Sequence, residues 1–322
     1  MELTLPDANA VLQHYDLGYA LSLTRLHSGF ANQNYKLTTN KKDVLLRVCR
    51  EQSDENIQYE MTLLGRLRAI EFPAAFPLPR SDGEFLTSLF NDPFSRGSSD
   101  GTPHTPFPGG TIVLYQFIPG EEPRSTPETV REIGIAIAQL NTLSEIEGLE
   151  RRNGLDLALC QQVIGEYDCA DYAYPSLFDA FKTETNLLED ALREDLPRGL
   201  IHGDAFPDNT IFQGNELRAI LDWEEACTDT LLIDVGVTIN GFCFPGNELD
   251  GELLLAFLGG YESVRILTER ERKLLPYFIR WGAHCLIAWH LAHIIHEPDP
   301  RKLERAMMFT ERLAKLKNLD PL

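Results

Sequence analysis

The chain is short of positive charge: 29 Lys and Arg stand against 49 Asp and Glu in 322 residues, a formal charge of −20. Such a field repels nucleic acid and anionic membrane surfaces, so neither is an expected partner. Much of that acidity also serves solubility. Long apolar runs are missing too; none approaches the roughly 18 residues of a membrane span. The N-terminal MELTLPDANA has no basic start followed by an apolar stretch, so no signal peptide is expected there. There are six cysteines and no C-x-x-C pair, which argues against a disulfide framework or a zinc knuckle. They read as reduced core residues of a cytoplasmic protein. No internal repeat is visible. What remains, 43% hydrophobic and 24% charged residues, is an ordinary globular composition with enough length for one large domain or two modest ones.

The first third predicts strands at Leu21–Leu26, Asn34–Thr39 and Asp43–Cys49, separated by short polar turns and therefore antiparallel. A helix follows, capped by Ser53 or Asp54, with Ile57, Met61, Leu64 and Leu67 at helical spacing. Further strands are expected at Glu84–Phe90 and Thr111–Ile118. Between them lies 91–110, rich in Pro, Gly and Ser, which reads as a flap or a tolerated insertion. After Pro119 and Gly120 the pattern turns helical. One helix starts at Thr126 and Pro127, and others cover Leu155–Tyr167, Pro175–Arg193, Glu248–Gly259, Thr268–Glu297 and Arg301–Leu316. The only strands expected in this half flank Gly214 and Asn215. The fold class is thus α+β: a β-rich N-terminal lobe, 1–117, and a mainly helical C-terminal lobe, 118–322.

The chemistry concentrates in LIHGDAFPDNTIF, Leu200–Phe212, followed by RAILDW. With Gly214-Asn215 as a tight turn, Asn209 is expected opposite Ile220, and Asp222 diagonal to Asn209 on the same face. Asp204, Asn209 and Asp222 then form a hard-cation site of oxygen ligands. The spacing H-x-D-x-x-x-x-N with a later Asp suits phosphoryl transfer. One carboxylate takes the proton of an attacking hydroxyl, while an amide oxygen and a second carboxylate hold Mg2+. His202 is expected to hold the loop's shape rather than act as a base. Taken singly, these residues read as a turn Asp, an Asx turn and a strand end; their joint spacing carries the signal. His290, His293 and His296 recur at spacing three, but without H-E-x-x-H they read as helix packing more than as a metal site.

The set His202, Asp204, Asn209 and Asp222 resembles the motifs of protein-kinase-like small-molecule kinases, the aminoglycoside phosphotransferase and choline kinase superfamily. HGDAFPDNTIF with ILDWEEACTDTLLIDVGVTINGFCF is most similar to the kinase-like bacterial homoserine kinases, and SGFANQNY resembles their glycine–asparagine loop. The resemblance implies a two-lobed kinase-like fold using ATP and Mg2+ on a small hydroxyl compound, homoserine first. It implies Asp204 as catalytic base, Asn209 and Asp222 as metal ligands, and Asp234 as the helix-start residue that braces the catalytic loop. Ser28, Gly29 and Asn32 would cover the phosphates, Glu60 would be the ion-pair acid, and Gln116 and Ile118 would offer hinge backbone to adenine. Arg47 stands where a phosphate-binding Lys is usual, and the two are not interchangeable; Lys36 is the fallback. The single Gly of SGFANQNY departs from a G-x-G-x-x-G loop. Alternative acceptors are choline, ethanolamine, hydroxylysine or an aminoglycoside. Alternative classes are a catalytically weak kinase-like binding protein and a metal-dependent phosphohydrolase. Nothing in the sequence speaks to oligomeric state.

Overall fold

The computed structural model describes residues 2–26, 32–50, 52–88, 110–144, 147–168, 174–296 and 298–316. Ser28, Gly29 and all of 91–110 except Gly110 lie outside them. The chain divides into two compact units, Met1–Gly120 and Glu121–Leu322.

The first unit opens with α1 (Leu5–Leu12), a helix to which the sequence pattern assigned nothing, because eight residues are too few to show a period. Its cap is reciprocal: Thr4 Oγ1 accepts from Asp7 N–H, and the Asp7 carboxylate accepts from Thr4 N–H at 2.8 Å. An antiparallel sheet follows in the order β1-β2-β3-β5-β4, with β1 Ala20–Leu26, β2 Gln33–Thr39, β3 Asp43–Cys49, β4 Thr87–Ser88 and β5 Thr111–Gln116. The strand expected at Glu84–Phe90 is confined, among the described residues, to β4, whose two residues pair with Ile112 and Thr111. Between β3 and β4 runs α2 (Asp54–Ala69), capped by Ser53. Alternation along β3 divides its side chains. Val44, Leu46 and Val48 join Val11, Leu12 and Tyr35 in the core beneath α1, while Arg47 turns to α2.

The second unit is helical around two small sheets. Its elements are α3 (Pro127–Asn141), α4 (Leu157–Asp168), α5 (Pro175–Leu192), β6 (Arg198–Ile201), β7 (Thr210–Gln213), β8 (Glu216–Ile220), β9 (Cys227–Thr230), α6 (Leu231–Phe242), α7 (Gly251–Glu262), α8 (Glu269–His296) and α9 (Pro300–Lys315). The antiparallel pair β6–β9 is additional to the hairpin read from the sequence. RGLI and CTDT are four residues each, and the second is polar, so neither carries a strand's alternation. Helix α6 escaped for the opposite reason: all its residues but Gly241 are buried, so LLIDVGVTINGF has no polar face to mark a period.

Helices α6 and α8 cross backbone to backbone. A Cβ on Gly236 would lie 2.0 Å from the Phe278 carbonyl oxygen, and one on Gly282 would lie 2.5 Å from that of Gly236. Only glycine permits this approach, and it fixes α6, which carries Asp234, against the longest helix. Among the described residues the cysteines (Cys49, Cys160, Cys227, Cys243, Cys285) are free and buried, and no helix is long and apolar enough to cross a membrane.

The α5–α8 contact contains a buried imidazole. His284 stacks on Phe181 with centroids 4.5 Å apart, and its Nε2 meets Thr185 Oγ1 at 2.8 Å. Burial, reinforced by the Arg280 charge, pushes its pKa from 6.5 down to about 3. The unfolded chain therefore takes up a proton here below pH 6.5 that the folded chain refuses until near pH 3. This contribution to stability is complete above pH 6.5 and is lost as pH falls, by about 1.4 kcal/mol per pH unit. Denaturant titrations at pH 7 and pH 5 should show His284→Gln losing about 2 kcal/mol less between the two than the unaltered chain. Identical pH dependence of the two would contradict the assignment.

Candidate active site

The loop after β6 is built around one buried carboxylate. Asp234, in the first turn of α6, accepts hydrogen bonds from His202 N–H (3.1 Å), Gly203 N–H (3.0 Å) and Asn141 Nδ2 (3.0 Å). Burial raises its pKa, and His202 together with these N–H donors opposes the rise. Gly203 has φ +79°, where a side chain is strained, and a Cβ there would sit 3.3 Å from the Glu225 carbonyl oxygen. Asn141 also donates to the Leu200 carbonyl (3.0 Å) and accepts from the Tyr261 hydroxyl (2.9 Å). Asn141 and Tyr261 were missed from sequence. The available signal was a single polar residue at the end of α3's apolar face.

His202 is fully buried and both ring nitrogens are engaged. Nδ1 accepts from Asp204 N–H (3.2 Å), so Nε2 carries the proton and donates to the Leu221 carbonyl (2.9 Å). The ring meets Trp223 edge-on, and burial lowers its pKa. Its atoms hold the loop and leave none for a substrate proton.

Asp204 and Asn209 are in direct contact. Asn209 Nδ2 donates to Asp204 Oδ2 at 2.7 Å and to the Asp204 carbonyl at 2.9 Å, across a one-turn 3-10 helix, Pro207–Asn209. The hairpin register differs from expectation. Thr210, not Asn209, pairs with Ile220, because β8 bulges between the Ala219 and Leu217 pairs and leaves Arg218 extra. Asn209 therefore lies opposite Leu221, whose N–H it receives at 2.8 Å. The shift does not throw Asp222 out of the site, since the backbone turns there into the left-handed region (φ 59°, ψ 67°), a conformation concentrated at functional sites. Burial first, then the negative charges of Asp222, Asp208 and Glu225, push the Asp204 pKa well above the usual carboxylate range; Asn209 opposes this. Asp208, exposed and with no role in the sequence reading, adds to this field. Glu225, also unforeseen, is itself raised by burial and by Asp222, with Arg151 acting against.

The donor set suits a hard divalent cation. With Nδ2 committed to Asp204, the Asn209 amide leaves Oδ1 on its other side. Carboxylates crowd the same few residues with little positive charge to offset them. The C-terminal histidines do not gather. His290 packs on Trp289, His293 Nδ1 meets the Trp289 carbonyl at 2.7 Å, and His296 faces Glu166 at 3.5 Å.

In the first unit, Arg47 and Glu60 form a buried pair, with Arg47 Nη1 at 3.5 Å from Glu60 Oε1. Arg47 Nε donates to Asn34 at 3.3 Å, and Tyr115 Oη donates to Glu60 at 3.0 Å. Lys36 is bound elsewhere, to Asp43 at 2.8 Å and over the Phe117 ring. Asn32 is part-buried at the entry to β2. The Gln116 N–H donates to the Phe76 carbonyl at 2.9 Å, so that donor is already used, while Ile118 is part-buried just beyond β5.

A phosphotransferase-type carboxylate and amide on a kinase-like scaffold is the class these features define. Residues 22–267 match the pattern described as the phosphotransferase enzyme family, and the chain belongs to that family. It is 32% identical over 329 aligned residues to a homoserine kinase of Rhizobium rhizogenes, covering 97% of this chain and 96% of the relative. It is 28% identical to a homoserine kinase of Nitrobacter winogradskyi, covering 94% and 91%. In fold it is similar to a microcompartment-associated aminopropanol kinase (TM-score 0.73, 20% identity, 96% and 95% covered). It is likewise similar to a spectinomycin phosphotransferase (TM-score 0.70, 14% identity, all of both chains covered).

Proposed function

We propose that the chain transfers the γ-phosphoryl group of ATP to the side-chain hydroxyl of homoserine. The observation that carries the chemistry is the hydrogen-bonded Asp204–Asn209 pair beside Asp222. The substrate rests on the likeness, over nearly the whole length, to proteins named homoserine kinase. Asp204 accepts the hydroxyl proton as the oxygen bonds to the γ-phosphorus and the bond to the ADP oxygen breaks. The hydrogen bond from Asn209 orients the carboxylate that acts as base in this step. Asn209 Oδ1 and Asp222 would hold Mg2+, which when bound supplies charge neutralisation at the phosphate oxygens. His202 and Asp234 keep Asp204 in place.

The N-terminal unit takes the nucleotide in this proposal. Ser28, Gly29 and Asn32 cover the phosphates, Arg47 held by Glu60 supplies a cation, and Gln116–Ile118 meets adenine. Because the Gln116 N–H is used internally, Phe117 and Ile118 are left as the amide donors. Reduced single cysteines fit a cytoplasmic setting. The test is ADP release with Mg2+ across homoserine, choline, ethanolamine, hydroxylysine and an aminoglycoside. Stimulation is expected to be greatest with homoserine. No stimulation by homoserine would reject the substrate.

A further inference from the structure

Arg312 on α9 is 5% exposed, yet no carboxylate pairs with it among the described residues. Its contacts are all neutral. Nε donates to Asn247 Oδ1 (2.8 Å), and Nη1 donates to the Asn240 carbonyl (2.6 Å) and Asn240 Oδ1 (3.1 Å). The guanidinium lies over Phe244 (4.3 Å) and Phe309 (5.0 Å). Burial, with the nearby positive charge of Arg305, pushes its pKa down to about 10, and no acid among the described residues offsets it. The other buried arginine described in this unit is matched, Arg280 bonding Glu184, and the part-buried Arg265 bonds Glu271 at 2.7 Å. A buried guanidinium with two cations together and no counter-charge is costly in a protein rich in acids.

Its position gives the charge a use. Asn240, which holds Nη1, precedes Gly241, where a Cβ would sit 3.1 Å from the Phe206 Cα atom. Phe309, under the guanidinium, meets Phe206 edge-on with centroids 6.5 Å apart. Phe206 is two residues from Asp204. Asn247, the third support, has φ 66° and is tied by Nδ2 to the Met308 carbonyl (3.0 Å), so a strained residue is spent on orienting the group. Capping the carbonyl end of α6 needs one N–H and explains Nη1; it does not explain a rigid, aromatic-flanked guanidinium whose Nη2 donates to nothing among the described residues.

We propose that Arg312 is the anchor for the acceptor's carboxylate, a specificity determinant that selects amino-acid alcohols over plain amino alcohols. The assignment rests on the homoserine reading. With Nε and Nη1 held by Asn247 and Asn240, the Nη2 group is the donor left for the acceptor's carboxylate, a charge-assisted hydrogen bond between ions of opposite sign.

The experiment compares the unaltered chain with Arg312→Gln on two acceptors, L-homoserine and 3-aminopropan-1-ol, which is the same molecule without its carboxylate. For homoserine, kcat/KM should fall about thirtyfold or more, mainly through KM. For 3-aminopropan-1-ol it should fall far less. If the glutamine variant does not fold, Arg312→Lys is expected to give the same acceptor-specific rise in KM, smaller in size. Equal losses on both acceptors, or a rise confined to the KM of Mg·ATP, would overturn the assignment and leave Arg312 as a helix cap. Absence of homoserine turnover in the unaltered chain would instead overturn the substrate reading, and the assignment with it.

Discussion

Replacing Asp204 with alanine is expected to lower turnover by about 10²–10⁴ or more, the range attributed to a positioned general base. Nucleotide binding and folding should survive, because Asp204 is part-buried and, among the described residues, its side chain accepts only from Asn209. The loop's shape depends on His202 and Asp234 instead. Removing the carboxylate also removes a negative charge from beside Asp208, Asp222 and Glu225, so thermal stability should hold or rise slightly. The measurement is kcat with saturating Mg·ATP and acceptor, alongside a melting curve. Turnover near that of the unaltered chain would refute the mechanism.

Asp234→Ala should damage both stability and catalysis. It strands three buried donors, the N–H groups of His202 and Gly203 and the Asn141 amide, at about 1–3 kcal/mol for each orphan. A total near 3–5 kcal/mol is expected, comparable to breaking a buried charged network. With the loop unpinned, Asp204 loses its position, and a misplacement on the order of 1 Å can cost about 10²-fold in rate. Denaturant unfolding together with kcat per folded molecule separates the two effects. A stability loss with unchanged kcat would reduce Asp234 to a purely structural residue.

The candidate site could be proposed from sequence because it is local. Asp204, Asn209 and Asp222 lie within nineteen positions, and their order in H-x-D-x-x-x-x-N and L-D-W needs no tertiary knowledge. The pairing was not legible, since nothing in ELRAI marks Arg218 as a bulge, and a bulge moves every partner beyond it by one. Nor was the brace. Asn141 reaches Asp234 from 93 positions before it and is itself held by Tyr261, 27 positions after it, and such meetings are set by helix packing rather than by spacing. The N-terminal strands were readable because β2 alternates in burial and β3 is a short run of strand-forming residues after a polar turn. Helix α6 was not, because burial on all sides erases the period. Arg47 is a mixed case: the sequence raised the substitution for Lys, and the structure places it against Glu60 with Asn34 and Tyr115 around it.

The glycine crossing of α6 and α8 has a consequence for acceptor choice. Helix α6 supports the base-bearing loop at Asp234 and the Arg312 guanidinium at Asn240, six residues along the same helix, or about 9 Å of axial rise. A helix pressed backbone to backbone on its neighbour cannot slide or stretch, so it acts as a ruler between the two supports. On the proposed homoserine reading, with Arg312 as anchor, acceptors are gauged by length as well as charge: a chain one methylene longer or shorter than homoserine would bring carboxylate and hydroxyl to these ends out of step.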